Sequence, residues 1–544
     1  MRIADWIAQR CSELNPHTFL FVGGGNMYLA DALGRRGVQY RCMHNEQALA
    51  MAAEAYARIT SKPSVCVVTT GPGGTNAITG LYGAWVDSIP ILFISGQVRT
   101  ETLRRGNIRQ IGDQEVNIID VVRPLTKVAT LCKSPDEVEE MFNLALYEAS
   151  TGRQGPVWLD IPLDVQKAEY PGNSCQATYP TPEYIYDINE ILYTLLQAKR
   201  PIVLAGSGIR SAGAIDLFWK TMNKLRIPVI PNFNARDLGP FHYPTFGMQG
   251  EAICNLLIDQ ADVILILGCR MNIRQIGWKF GEFGKKAKKI MVDVDPEELN
   301  KHTFVPDVKV EADLRDFLTV LNGSLEIGLY GTYNEFGAIG HMWPPYITKV
   351  RYVRCTDSVN PYEFIQELND FTVTGDVVAF ANGLFPTTGI QDLAVKRGMR
   401  FILNSGCGAM GYGLPAAIGA AFASGNRVIC LEGDGSIQLN IQELQTVVHH
   451  NLPIKIFVGN NNGYNSIKNT QDAYFHGFYV AKDADTGVSF PNMEKIAWAY
   501  GIKYYRAEND VQVPHILNCV FEDDKPVICE LNLDPNFKLR KAEI

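Results

Sequence analysis

Residues 433–464 read GDGSIQLNIQELQTVVHHNLPIKIFVGNNNGY, and the organisation of the whole chain can be worked outward from them. Gly433-Asp434-Gly435 is followed by 24 residues and then by Asn460-Asn461-Asn462. The short apolar run Val428–Leu431 in front of the glycines predicts a buried strand. Behind them Ile437, Ile441, Leu444 and Val448 recur at four- and three-residue steps, the period of a helix. Ile454–Val458 predicts a second buried strand, so the unit is strand, glycine loop, helix, strand. In open parallel sheets ligands lie beyond the carboxyl ends of the strands, and Asp434 and Asn461 both fall there.

The residue types suit a metal–diphosphate site. Gly435 and Ser436 open the predicted helix, whose unpaired amides and dipole favour a phosphate group. Asp434 supplies a hard carboxylate, Asn461 a side-chain carbonyl oxygen, and Gly463 a backbone carbonyl after a tight turn. Those oxygens, two more from a diphosphate and one from water complete an octahedral Mg2+ shell. Either motif alone reads as an ordinary turn or polar loop; the spacing and the strand–helix–strand frame join them.

The same motif, GDG, about two dozen residues, then NN, resembles the diphosphate motif of thiamine diphosphate (ThDP) enzymes. The full segment looks like the acetolactate synthase branch of that superfamily. The resemblance implies that Asp434, Asn461 and the Gly463 carbonyl hold the metal, and that Gly433, Gly435, Ser436, Tyr464 and Asn465 bind the cofactor around them.

A chain of 544 residues predicts about three or four domains with ample core. With 46% hydrophobic and 20% charged residues the composition is that of a globular enzyme, and a net charge of −8 argues against nucleic acid as partner. The N-terminal MRIADWIAQRCSEL reads as an amphipathic helix rather than a signal peptide. No apolar run approaches the roughly 18–20 residues of a membrane span. The 12 cysteines are scattered without a CxxC, and Cys66, Cys430 and Cys529 lie in apolar runs, so they read as reduced core residues of a cytoplasmic protein.

Alternating helical and buried-strand patterns fall into three blocks, predicting an α/β protein of three doubly wound parallel-sheet domains. The first block is residues 1–170, with strands at Val65–Thr69 and Ile91–Ser95. A Pro/Tyr-rich linker, Tyr170 to Pro182, precedes the second block at 185–325, with strands at Pro201–Ala205, Val263–Leu267 and Ile290–Val294. A Gly/Tyr/Pro-rich segment running through Pro344-Pro345 leads to the third block, 355–544, which closes on the strand Pro526–Leu531. The resemblance makes these the pyrimidine-binding, central and diphosphate-binding domains.

ThDP chemistry also needs a group that generates the cofactor's ylid. Gln39–Gln47 predicts a strand leading into the helix Ala48–Arg58, with Glu46 at the helix start. On the residues alone, such a carboxylate simply answers the helix dipole. The resemblance makes Glu46 the catalytic glutamate, although Asn45 intervenes between His44 and Glu46 in the family's HEQ pattern. Thr70-Gly71-Pro72-Gly73-Gly74-Thr75-Asn76 is similar to the family's SGPGATN loop, implying that Pro72 and Asn76 line the pyrimidine pocket. Gly24 and Gly25 match its early glycine turn, where backbone must approach closely. Within Gly406–Ala417, the Gly408 backbone and Met410 are implied to hold the aminopyrimidine, Met410 propping the cofactor into its bent shape. In the family the two ends of one cofactor are held by different subunits, which implies a homodimer or homotetramer with Glu46 of one chain facing Asp434 of another.

The substrate side departs from acetolactate synthases. In Gly112-Asp113-Gln114-Glu115, Gln114 is kept while a pocket phenylalanine becomes Asp113. A tryptophan that selects small 2-oxo-acid acceptors aligns with Thr470, and the GQHQ phosphate contact becomes Asn382-Gly383-Leu384-Phe385. Arg274 aligns with a carboxylate-binding arginine. Exchanging two aromatics for Asp and Thr enlarges the acceptor side and makes it polar, which suggests a larger, hydroxylated acceptor such as a nucleotide-linked keto-sugar. In the central block, Gly206-Ser207-Gly208 follows a strand without GxGxxG spacing, and Asp293 and Asp295 end another strand where a ribose-binding acid sits. Gly247-Met248-Gln249-Gly250 and Arg270 resemble parts of the FAD site of acetolactate synthases, and the expectation stays open between bound FAD and a vestigial, empty fold. His449-His450 reads as a helix cap rather than a metal site.

The combined expectation is a ThDP- and Mg2+-dependent carboligase that decarboxylates a 2-oxo acid, pyruvate first, and passes the acyl carbanion equivalent to a carbonyl acceptor. The alternatives are a 2-oxo-acid decarboxylase without carboligation and a C–C-cleaving dione hydrolase. A catalytically inactive regulatory paralogue is a further alternative, against which the intact Glu46, Asp434 and Asn461 argue. Its partners are small molecules, without nucleic acid or membrane.

Overall fold

A computed structural model describes residues 1–172, 179–180, 182–326 and 354–540. The middle of the Tyr170–Pro182 linker and most of the Gly/Tyr/Pro-rich segment before the third block therefore lie outside the described residues. The first sheet contains β1 (His17–Leu20), β2 (Gln39–Cys42), β3 (Ser64–Val68), β4 (Ile91–Gln97), β5 (Ala129–Leu131) and β6 (Val157–Pro162). The second contains β7 (Pro201–Ala205), β8 (Val229–Pro231), β9 (Val263–Leu267), β10 (Lys288–Asp293) and β11 (Val308–Glu311). The third contains β12 (Val377–Phe380), β13 (Arg400–Leu403), β14 (Val428–Gly433), β15 (Ile454–Asn460), β16 (Lys503–Ala507) and β17 (Val527–Asn532).

Their orders are β2-β1-β3-β4-β6-β5, β11-β10-β9-β7-β8 and β13-β12-β14-β15-β17-β16. Every strand pair is parallel, as sequences buried on both faces require. In each sheet the strand order reverses once early on, between β1 and β3, between β7 and β9, and between β12 and β14. Chains leaving the two strands at such a switch point diverge and leave a crevice. The glycine turns singled out in the sequence sit at these crevices: Gly23–Gly25 and Thr70–Asn76 on the first sheet, Gly206–Gly208 on the second, Asp434–Gly435 on the third.

The first and third domains share one hydrophobic core. The helix Glu46–Thr60 carries alanines at 48, 50, 52, 53, 55 and 57, and crosses the helix Gly413–Ser424. Backbones meet there, because a Cβ at Gly419 would run into the Ala52 carbonyl. Polar ties reinforce the crossing: the buried Glu54 carboxylate accepts from Arg58 Nε at 2.7 Å and from the Tyr412 hydroxyl. Arg58 also pairs with Asp87 at 2.8 Å. The central domain is joined through Arg153, which reaches Asp295 at 2.7 Å and Glu298 at 2.8 Å, and through Arg400, which reaches Asp237 at 2.7 Å.

One predicted element differs. The single helix expected after Gly435-Ser436 is a 3-10 segment, Ile437–Glu443, followed by the α-helix Leu444–His449. Asn440 leaves helical geometry (φ −137°, ψ 28°) because its side chain donates to the Gly411 carbonyl at 2.8 Å. An asparagine that bonds a nearby backbone group competes with the helix ladder. His450 stands at the C-cap of the second piece, as expected. Among the described residues no helix is long and apolar enough to cross a membrane.

Candidate active site

The crevice of the third sheet is organised by Asp434, the first residue beyond β14. Its carboxylate accepts backbone N–H groups from Gly435 at 2.8 Å, Asn461 at 3.2 Å and Gly463 at 3.1 Å. One side chain thus pins the GDG turn to the loop after β15. Burial pushes its carboxyl up from 3.8 to about 6, and those amides act in the opposite direction. Beside it, Asn461 Oδ1 is buried without a hydrogen-bond partner. Buried acceptors are rarely left unpaired, so this oxygen fits a ligand that is not protein. A carboxylate and an amide oxygen on adjoining loops are the donors a hard divalent cation takes. Among the described residues no group of three or more His, Cys, Asp and Glu is arranged to hold a metal ion, so a cation at Asp434 would draw mostly on carbonyl oxygens and a ligand.

Several of the other predicted residues lie beside this pair. A Cβ at Gly435 would collide with the Tyr464 ring, so the turn lies directly against that tyrosine. Asn465 opens the helix Asn465–Phe475 and donates to the Pro535 carbonyl at 3.2 Å. Ser436 Oγ accepts from Gly411 N–H at 2.9 Å, tying the chain that follows Met410 to the GDG turn. Across the switch point Asn382 donates to the Gly408 carbonyl, with Gly383 following at φ +104°. The amides that follow Asp434 therefore belong to a turn and a 3-10 segment, which corrects the expected α-helix.

On the first sheet, Glu46 is the first residue of its helix, and Asn45 is the N-cap, accepting Gln47 N–H at 2.7 Å. The asparagine that interrupts the family pattern is thus a helix cap of ordinary kind. The Glu46 side chain is buried; its Oε2 accepts from Asn76 Nδ2 at 3.0 Å, and Oε1 lies over Gly73. Asn76 ends the short helix Pro72–Asn76, which starts from Gly71 at φ +66°. A Cβ at Gly71 would strike the Gln114 carbonyl, so Gln114 (φ +56°) is seated on the same turn. Gly25 N–H donates to Thr69 Oγ1 at 3.1 Å, while Gly24 stays exposed at the crevice mouth.

Beneath this turn lies a network that the sequence did not disclose. Thr70 Oγ1 donates to Gln97 Oε1 at 3.0 Å, and Gln97 Nε2 donates to Asp160 Oδ2 at 2.8 Å. Ser95 Oγ donates to Asp160 Oδ1 at 2.6 Å and accepts from Trp158 Nε1 at 2.7 Å. Burial pushes the Asp160 carboxyl up to about 7. Polar residues on the inner strands β4 and β6 were the available signal, since apolar side chains are the rule there. Glu443 was also missed; its Oε1 accepts His44 N–H at 3.0 Å and ties the end of β2 to the third domain.

The predicted residues are not all brought together. Among the described residues no hydrogen bond or ion pair joins the Glu46 cluster to the Asp434 cluster within one chain. Thr470 lies exposed on the helix Asn465–Phe475, its hydroxyl donating to Ser466 O at 3.0 Å, whereas Asp113 and Gln114 belong to the first domain. Arg274 lines a cavity of about 440 Å3 at the central switch point and also approaches Gly408. Ser207, Gly208, Gln249, Arg270 and Asp293 line the same cavity. Burial pushes the Asp293 carboxyl up to about 6.

Glycine-turn crevices on three parallel sheets, one with a carboxylate–amide pair, are what a diphosphate cofactor enzyme of the α/β class requires. The family models named thiamine pyrophosphate enzyme N-terminal TPP binding domain, central domain and C-terminal TPP binding domain match residues 1–116, 188–321 and 382–531, and the chain belongs to this family. Within it the chain is acetolactate synthase-like. It is 30% identical to acetolactate synthase isozyme 2 large subunit of Escherichia coli (strain K12), covering 98% of this chain and 96% of that protein. Against the acetolactate synthase large subunit of Cyanidium caldarium it is 30% identical, over 94% of this chain and 89% of the other. A probable chloroplastic acetolactate synthase 2 of Oryza sativa subsp. japonica is 32% identical, over 93% and 78% respectively. The protein is therefore a thiamine diphosphate-dependent enzyme.

Proposed function

We propose that this enzyme decarboxylates a 2-oxo acid, pyruvate first, and transfers the acyl carbanion equivalent to a carbonyl acceptor that is a keto-sugar. Asp434, Asn461 Oδ1 and the Gly463 carbonyl would hold Mg2+, with the turn at Gly433–Ser436 against the diphosphate. The observation that carries this is the buried, partnerless Asn461 Oδ1 beside a buried carboxylate, an arrangement that protein groups alone leave unsatisfied. Bound ThDP would supply a thiazolium carbon acid, whose deprotonated carbon is a nucleophile for a 2-oxo carbon and whose ring is a sink for the electron pair released with CO2. Glu46 holds and moves a proton at Oε1, while Asn76 fixes its other oxygen and with it the rotamer. The Gly408 carbonyl, oriented by Asn382, and Met410 bound the aminopyrimidine pocket.

A homodimer supports both halves of this site. Pro72 and Asn76 are exposed in the single chain, as is the rim of the diphosphate half, where Tyr474 is 75%, Phe478 73% and Phe475 59% accessible. Apolar side chains bared at the diphosphate half-site, and Pro72 bared at the other, favour burial against a second copy. For the central cavity we assign FAD in a structural role, with Asp293 at the end of β10 on the ribose side.

The acceptor assignment rests on Asp113 and Thr470, both exposed and polar where aromatics stand in acetolactate synthases. Pyruvate turnover with and without keto-sugar acceptors, with products identified by mass, tests it. The expected result is a two-carbon adduct of the sugar. Thr470→Trp should shift preference toward small 2-oxo-acid acceptors, and an unchanged preference sinks the keto-sugar reading. Purified protein that is colourless and releases no flavin on denaturation counts against FAD.

A further inference from the structure

In the loop between β4 and Gln114, where Arg99 pairs with Glu101 at 3.7 Å, residues 104–109 hold three further arginines, Arg104, Arg105 and Arg109, in a chain whose net charge is −8. All three are exposed, and among the described residues none of them forms an ion pair. The Arg104 guanidinium touches only the Ile108 carbonyl, at 3.4 Å. The loop is nonetheless held in shape. The buried Glu115 carboxylate accepts backbone N–H groups from Arg104 at 2.5 Å, Ile111 at 2.9 Å and Gly112 at 3.1 Å. Gln110 Nε2 adds a bond to the Glu115 carbonyl at 3.2 Å. The buried Glu115 is thus engaged chiefly with amides, with Arg104 adding a favourable charge, and among the described residues no acid comes within ion-pair distance of the three guanidinium groups.

Their position gives that charge a use. Glu115 is next to Gln114, whose carbonyl packs on Gly71, and Gly71 starts the short helix whose Asn76 holds Glu46. The arginine-bearing loop is therefore joined through Gln114 to the turn that positions the candidate proton-transfer group. A 2-oxo acid brings a single negative charge and reacts deep in the crevice, so it does not need three outward cations. A guanidinium fork matches phosphate oxygens two at a time, and three of them suit a diphosphate.

Building on the keto-sugar reading above, we propose that Arg104, Arg105 and Arg109 bind the diphosphate of a nucleotide-linked sugar, leaving its carbonyl to point inward past Gln114. The test uses holoenzyme loaded with ThDP and Mg2+, titrated calorimetrically with UDP, dTDP, CDP and GDP and with the matching nucleosides, at two salt concentrations. At least one nucleoside diphosphate should bind, and bind more tightly than its nucleoside. Replacing all three arginines by Gln should weaken it roughly 10- to 100-fold and flatten its salt dependence, with Lys replacements in between. Pyruvate decarboxylation should be unchanged in these variants, which also shows that they are folded. Nucleoside diphosphate binding that survives the triple Gln replacement overturns the proposal, as does binding that disappears only when the central cavity is altered by Asp293→Ala. Wild-type holoenzyme that does not consume pyruvate overturns instead the functional reading, whichever way the titrations fall.

Discussion

The hydrogen bond from Asn76 Nδ2 to Glu46 Oε2, 3.0 Å long, offers the sharpest test of how the proton-transfer group is held. Asn76→Ala removes the donor and leaves the buried glutamate in place. A bond from a neutral amide to a charged carboxylate contributes roughly 1.5–3 kcal/mol. If that bond orients Glu46 in the transition state, turnover falls roughly 10- to 150-fold at about 1.4 kcal/mol per decade. Glu46→Gln should abolish turnover while ThDP still binds, because the diphosphate half of the site is untouched. The double variant should be no slower than Glu46→Gln alone, since the bond acts only through the carboxylate. Steady-state pyruvate consumption at saturating ThDP and Mg2+, with cofactor affinity measured separately, reads all three. Full activity in Asn76→Ala, or losses that multiply in the double variant, would refute the positioning role.

Asp434→Ala should lose Mg2+-dependent ThDP binding and also free the loop at Asn461–Gly463, which cofactor titration with and without Mg2+ reads directly. Gly419→Ala pushes the helix Gly413–Ser424 off the Ala52 carbonyl, and overpacking of this kind costs about 1–3 kcal/mol, seen as a lower Tm. Asp160 supplies a pH test. Its folded carboxyl is pushed up to about 7 against 3.8 in a free chain, so its contribution to stability is fully present below the lower value and is lost as pH rises to the upper one. Denaturation of the wild type relative to Asp160→Asn should therefore lose on the order of 4 kcal/mol across that window. A pH-independent difference would show that the carboxyl is not held neutral.

Much of the fold was legible because parallel strands buried on both faces read as plain apolar runs. The strand predicted at Val263–Leu267 has those limits in the structure, and Ile454–Val458 lies inside β15. The helix after Gly435 was misread as continuous, since four-and-three spacing reports which side chains face inward and says nothing of Asn440 bonding across to Gly411. Asp434 and Asn461 could be paired from sequence because a strand–helix–strand frame of known length sets their separation. The role of Asn45 as a cap, and of Glu115 in shaping an arginine-bearing loop, could not, since both depend on where side chains turn after the chain has folded.

By itself the sequence determined the three parallel-sheet blocks, because period and spacing are local properties, and its resemblance to a known family implied the ThDP motif and the departures at Asp113 and Thr470. Tertiary structure decided what those residues do to one another. It placed Asn76 on Glu46, left Asn461 Oδ1 without a protein partner, opened the cavity beside Asp293, and seated Gln114 on the turn at Gly71. Each of these is a relation between segments far apart in the chain, fixed only when switch-point crevices and the alanine-lined helix crossing bring them to a common surface.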